Sequence, residues 1–219
     1  MIQFPHKPGF DRKIICVPHF LEREVFLGLR EAAERQLEGT RVNIPVHKRG
    51  RTISYHELHE GAPKITTFYQ SPVLHDWCSA VIGSRVQPTP LNDLSSCSLL
   101  IYDQPRDHFA WHYDINFYKG RHFTALLSLF NEDASGENVS SAELHILDNG
   151  HETAVCTSPN TFVLFEGAFV YHSVTALGEG ERRIILSMTF CTNPSASPFQ
   201  DLMRRGKDVA YFGLRALWS

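Results

Sequence analysis

Six short apolar runs, bounded by Gly, Asn, Asp or Pro, recur along the chain between Ser98 and Cys191. They are Ser98–Tyr102, Phe123–Phe130, Glu143–Leu147, Thr161–Phe165, Val170–Val174 and Arg183–Cys191. Runs of this length and spacing predict the strands of an all-antiparallel sandwich or jelly roll. The polar stretch Asn131–Ser141 reads as a loop between two of them.

The sequence ahead of these runs has a different period. Leu21, Val25, Leu29, Ala33 and Leu37 recur every four residues, which predicts an amphipathic helix stopped by Gly39. Ile14–Val17 reads as a first strand. Ser71-Pro72 is a helix start, with Ser as cap and Pro in the first turn, and Gly83 ends the helix that Val73–Ile82 supplies. Pro88 and Pro90 bar Val86–Leu91 from a central strand. Arg41–Gly61 is mixed and turn-rich, either a lid or an irregular connection. A helix around Phe199–Arg205 and an apolar piece ending in Leu217-Trp218 close the chain. Helices first and strands later give an α+β protein whose helices buttress one sheet.

At 219 residues and 42% apolar content, the chain is expected to be one domain, with a helical part over 1–95, a jelly-roll core over 96–195 and a helical tail over 196–219. A net charge of −3 offers no footprint for nucleic acid. The basic run His47-Lys48-Arg49-Gly50-Arg51 is short enough to be a solvated turn. No run approaches a membrane span, and Met1–Lys7 lacks a hydrophobic signal. The five cysteines, at 16, 78, 97, 156 and 191, show no CxxC spacing, so they read as reduced thiols of a cytoplasmic protein.

Chemistry concentrates around Trp111-His112-Tyr113-Asp114. A His and a carboxylate two apart on a strand project from one side, so both can reach one metal ion. His172 can be the third ligand, since two His and one carboxylate on one face leave the opposite face of the metal open. His108, His122 and His145 are competing ligands that fit less well: His108 has helical spacing to His112, and the others suit a wall or solvent. After His172 come a turn, Gly178-Glu179-Gly180, and a strand that begins Arg182-Arg183. A guanidinium there can fork onto a carboxylate. Adjacent residues face opposite sides of a strand. Arg183 shares its face with Ile185, Ser187 and Thr189; Arg182 shares its face with Ile184, Leu186, Met188 and Phe190. The row with hydroxyls suits a polar pocket and favours Arg183, unless a bulge at the strand start reverses the phase.

On these residues, over about Leu99–Pro194, the sequence resembles the Fe(II)/2-oxoglutarate-dependent oxygenase superfamily. The resemblance implies a double-stranded β-helix (cupin-like jelly roll), with Fe(II) on His112, Asp114 and His172. It further implies 2-oxoglutarate as cosubstrate with O2, held at its C5 carboxylate by Arg183 or Arg182. Tyr102 matches a tyrosine that often bonds the cosubstrate, and it can equally be a plain core aromatic. Trp111–Asp114, Gly120-Arg121-His122-Phe123-Thr124 and Glu181–Thr192 look closest to the BesD-type group acting on free amino acids. Halogenases of that group carry a small residue where this chain has Asp114. The resemblance therefore implies hydroxylation of a small, amino-acid-like substrate, with Trp111, Asn116, Ser187 and Thr189 as candidate contacts. Three rivals stand beside this: a prolyl-hydroxylase-like enzyme acting on peptides in an open groove, a divalent-metal hydrolase, and a metal-free binding module.

Overall fold

The computed structural model describes residues 10, 13–37, 40–44, 47–155 and 157–212. Gly39, Cys156 and the Leu217-Trp218 piece lie outside the described residues. In chain order, strand β1 is Ile14–Val17 and helix α1 is Arg23–Glu34. Then come β2 (Thr40–Ile44), β3 (Lys48–Ile53), α2 (Tyr55–Gly61), α3 (Pro63–Tyr69), α4 (Pro72–Ile82) and β4 (Gln87–Pro88). The strand-rich half supplies β5 (Cys97–Tyr102), β6 (His108–His112), β7 (His122–Glu132), β8 (Leu144–Asp148) and β9 (His151–Val155). It continues with β10 (Phe162–Phe165), β11 (Tyr171–Val174) and β12 (Arg182–Cys191), and α5 (Pro198–Phe212) follows.

All strand pairs are antiparallel, in the order β1-β10-β7-β12-β5-β3-β6-β11-β8-β9. The sheet rolls into a nearly closed jelly roll. β10-β7-β12-β5 form one wall and β6-β11-β8-β9 the other, and side chains of both walls line one interior cavity. β3 joins the walls, pairing with β5 through Arg51–Ile53 and with β6 through Lys48 and Arg49.

The two rows of β12 explain the layering. Ile184, Leu186, Met188 and Phe190 pack with Phe26, Leu29, Leu58, Ile65 and Leu74 of the helices into one core. Each fully buried aliphatic or aromatic side chain there contributes roughly 1.5–3 kcal/mol. Leu126 and Val163 of one wall instead meet Leu144, Ile146 and Val174 of the other. The helices thus cover one face of one wall and leave the opposite face to the barrel interior.

Local chemistry sets the helix ends. Ser71 occupies the N-cap of α4 with Pro72 at the first helical position, though its hydroxyl makes no capping bond; Gly83, at φ 74°, is the left-handed C-cap. α1 is shorter than the apolar period predicts, because it ends at Arg35. Arg41–Gly61, unplaced from sequence, holds β2, β3 and α2. The Ser54 hydroxyl and Glu57 carboxylate form a reciprocal capping box that starts α2. The tail helix is longer than expected and runs on to Phe212. Buried Arg204 bonds Asp208 and the Asn92 carbonyl, and Lys207 bonds Asp93, so tertiary ion pairs hold α5 through Gly206.

Cys78, Cys97 and Cys191 are buried free thiols, and burial pushes all three upward in pKa, Cys191 to about 12. No helix among the described residues is long and apolar enough to cross a membrane.

Candidate active site

His112 is the last residue of β6 and pairs directly with His172, the second residue of β11. Asp114 lies two residues beyond His112, where its N–H donates to the Gly167 carbonyl at 3.0 Å. A Cβ on Gly167 would stand 2.3 Å from Asp114 Oδ2, so only glycine permits this approach. The three side chains bring one donor atom each within 4.8 Å of one another. Asp114 Oδ1 lies 3.6 Å from His112 Nε2 and 3.8 Å from His172 Nε2.

The imidazole orientations have a cause. His112 Nδ1 lies 2.7 Å from the Ala110 carbonyl, and His172 Nδ1 lies 2.9 Å from the Val170 carbonyl. Each Nδ1–H donates to the carbonyl two residues earlier, which leaves the Nε2 lone pairs to converge. Thr124 donates to Asp114 Oδ2 at 2.6 Å and so holds the second carboxylate oxygen. Burial alone would raise the Asp114 carboxyl. The adjoining imidazoles and the Thr124 hydroxyl outweigh it and hold the group far below the usual carboxylate range. Burial lowers His172 despite the nearby Asp114. A carboxylate and neutral imidazoles are the protonation states a metal requires.

The arginine phase is unambiguous in space. Arg183 is 0% exposed and lies cross-strand from Tyr102. Its Nη2 donates to Thr157 Oγ1 at 3.2 Å, while its Nε and Nη1 and the Tyr102 hydroxyl have no partner. Burial lowers the Arg183 pKa and pushes Tyr102 up to about 12. Arg182 points the other way, bonding Glu132 and Glu34 and covering the Phe130 ring. A bulge does occur here, but Leu129 of β7 is the residue left over between Ser128 and Phe130. The alternation of β12 is therefore preserved.

Ser187 and Thr189 line the cavity, as their face predicts. Two expected contacts do not. Trp111 alternates away from His112 and stacks on Tyr171, with ring centroids 5.3 Å apart. Asn116 spends its amide within its own loop, donating to the Gly120 carbonyl at 2.7 Å and accepting from the Tyr118 N–H at 2.8 Å. Of the competing histidines, His122 is buried and lines the cavity without joining the three-donor cluster. His108 bonds the Arg106 carbonyl, and His145 is taken by Glu143 and Glu152.

Sequence reasoning missed the contribution of β3. Lys48, assigned to a solvated turn, is 2% exposed and faces the cavity beside Thr52. The run of charges hid the signal, which is the two-residue alternation of Lys48, Gly50 and Thr52 against Arg49 and Arg51. Tyr211 and Phe212 of α5 complete the wall of a cavity of about 260 Å³.

No family model and no curated protein matches the sequence. Solved structures do match. SnoN, a non-haem α-ketoglutarate-dependent epimerase from nogalamycin biosynthesis, aligns with a TM-score of 0.68 at 14% identity, over 88% of this chain and 83% of that one. The chain shares its fold with 2-oxoglutarate/Fe(II) oxygenases. EctD from S. alaskensis, solved with 2-oxoglutarate and 5-hydroxyectoine, aligns at 0.63 and 17% identity over 84% of this chain and 73% of that one. A Pseudomonas putida prolyl-4-hydroxylase aligns at 0.59 and 16% identity over 84% and 95%. The double-stranded β-helix is thus the observed architecture.

Proposed function

We propose that this chain is a non-haem Fe(II)/2-oxoglutarate-dependent dioxygenase that hydroxylates an unactivated C–H bond of a small polar substrate, a free amino acid or derivative. The observation that carries the reading is the convergence of His112 Nε2, Asp114 Oδ1 and His172 Nε2 at the mouth of a barrel. Two imidazoles and one carboxylate from one side fit a divalent first-row metal with open positions. The unpartnered Arg183 nitrogens and Tyr102 hydroxyl fit the distal carboxylate of 2-oxoglutarate, since buried polar atoms without partners signal a missing ligand. A hydrolase would leave both groups unexplained.

When bound, iron, 2-oxoglutarate and O2 supply the oxidising chemistry: the cosubstrate goes to succinate and CO2, and a substrate C–H becomes C–OH. The chain's own residues do the positioning. Val170 and Ala110 carbonyls fix the imidazole tautomers, Thr124 fixes the carboxylate, and Arg183 with Tyr102 orients the cosubstrate. Phe109, Phe165 and Leu126 keep the cavity wall apolar. The cavity of about 260 Å³ supports a small molecule over a peptide laid in an open groove. Asp114 fills the position that the resembled halogenases leave vacant, which supports hydroxylation.

The test is Fe(II)- and O2-dependent conversion of 2-oxoglutarate to succinate by the purified protein, with and without candidate amino acids. Wild type is expected to release succinate, and Asp114→Ala to lose at least about two orders of magnitude of that rate with its metal affinity. Undiminished turnover in Asp114→Ala would contradict the assignment.

A further inference from the structure

This inference deepens the proposed function and rests on it: it concerns the substrate class. Once metal and cosubstrate have their residues, one charge on the cavity wall has no counterpart. Lys48 Nζ donates to Thr52 Oγ1 at 3.1 Å. It lies 5.1 Å from the centroid of Phe109 and 4.9 Å from that of Tyr211. Among the described residues, no carboxylate comes within ion-pair reach of it. The nearby polar groups are otherwise engaged. His47 bonds the Tyr211 hydroxyl at 3.2 Å. Asp93, also on the cavity wall, is satisfied by Lys207 at 2.8 Å, Ser95 at 2.7 Å and Tyr118 at 2.6 Å.

A buried ammonium without a counter-ion is costly, and one hydroxyl and two ring faces return only part of that cost. The place of Lys48 is as telling as its isolation. Phe109 lies between it and the metal site, stacked on His112 with centroids 3.9 Å apart. The ammonium thus stands one ring away from a metal-ligand side chain, on the strand that joins the two walls. A divalent metal and the Arg183 guanidinium are together balanced by Asp114 and the two carboxylates of 2-oxoglutarate. Lys48 is left over, and a substrate bearing one anionic group makes the cavity neutral.

We propose that Lys48 is a specificity-determining residue that binds the carboxylate of the primary substrate, with Thr52 holding the ammonium in place, so that the enzyme acts on a small free carboxylic acid. An internal peptide segment has no main-chain carboxylate and, without an Asp or Glu side chain, would leave the lysine unpaired.

The experiment uses the protein loaded anaerobically with Fe(II) and 2-oxoglutarate. It is titrated with the free L-amino acids and, in parallel, with their primary amides, by calorimetry and by perturbation of the metal-chelate absorption. Wild type should bind at least one acid about tenfold or more tighter than its amide, the worth of a charge-assisted contact. Lys48→Met and Lys48→Gln should erase that preference while keeping 2-oxoglutarate affinity within about twofold. Lys48→Arg should keep part of it. Amides binding as well as acids, no acid binding at all, or a preference that survives in the Met and Gln variants would overturn the proposal. So would a large loss of 2-oxoglutarate affinity in those variants, which would give Lys48 to the cosubstrate. Absence of the chelate absorption in wild type would instead defeat the proposed function itself.

Discussion

Lys48 costs the folded protein stability, and the sign of that cost can be read against pH. Burial lowers its pKa from 10.5 to about 7. The unfolded chain therefore binds more protons than the folded one between those values, so this group makes stability rise with pH from about 7 to about 10.5. Below about pH 7 the penalty is in full force, on the order of a few kcal/mol. Lys48→Met should melt higher than wild type at pH 6, with the difference shrinking towards pH 10; an equal difference at both values would contradict the buried, uncompensated charge. The two arginines make a second contrast at this scale. Arg183→Ala should weaken 2-oxoglutarate binding by about ten- to a hundredfold, as loss of a charge-assisted fork requires. Arg182→Ala should leave it within about twofold, since that residue only ties Glu132 and Glu34 at the barrel's outer surface. The reverse ranking would mean that the strand phase is wrong.

At the scale of elements, the site depends on where strands end. His112 closes β6 and His172 is the second residue of β11, so one antiparallel pair delivers both imidazoles, and the Gly167 carbonyl holds Asp114 just beyond the end of β6. Gly167→Ala would drive a methyl into that carboxylate. It should lower metal affinity by about ten- to a hundredfold while the circular dichroism spectrum stays native; unchanged affinity would show that the carboxylate can move aside. β5, β7, β8, β10, β11 and β12 were legible because each is a short run bounded by turn residues, whereas β6 and β9 carry too few apolar residues to stand out. The face of Arg183 followed from the hydroxyls four and six residues further along it, at Ser187 and Thr189. The β3 strand was not legible. Its alternation is written in Lys, Arg, Gly and Thr, residues that ordinarily mark a solvated turn, and its role as a bridge between walls depends on pairing with residues about fifty positions away. Adjacency to His112 does not give Trp111 access to the site, because alternation puts strand neighbours on opposite faces. Asn116 was misplaced because a polar side chain in a loop is as readily consumed by the loop.

The whole molecule is a layered object: helices cover one wall of a rolled sheet, the second wall closes over it, and α5 brings Tyr211 and Phe212 across the mouth. This arrangement puts three candidate metal ligands, the Tyr102 hydroxyl and a lone ammonium around one cavity, with Arg183 cross-strand from Tyr102, in a chain that no family model matches. Structures with this fold include an epimerase and a prolyl hydroxylase, so the architecture sets the place of the chemistry and the side chains around the cavity set its outcome. The most direct test of the account is an anaerobic titration of the metal-free protein with Fe(II) and then 2-oxoglutarate, followed through the weak visible charge-transfer absorption of the chelate. The account predicts that the absorption appears in wild type and is lost in His172→Ala. Iron binding with no such absorption on adding 2-oxoglutarate would contradict it.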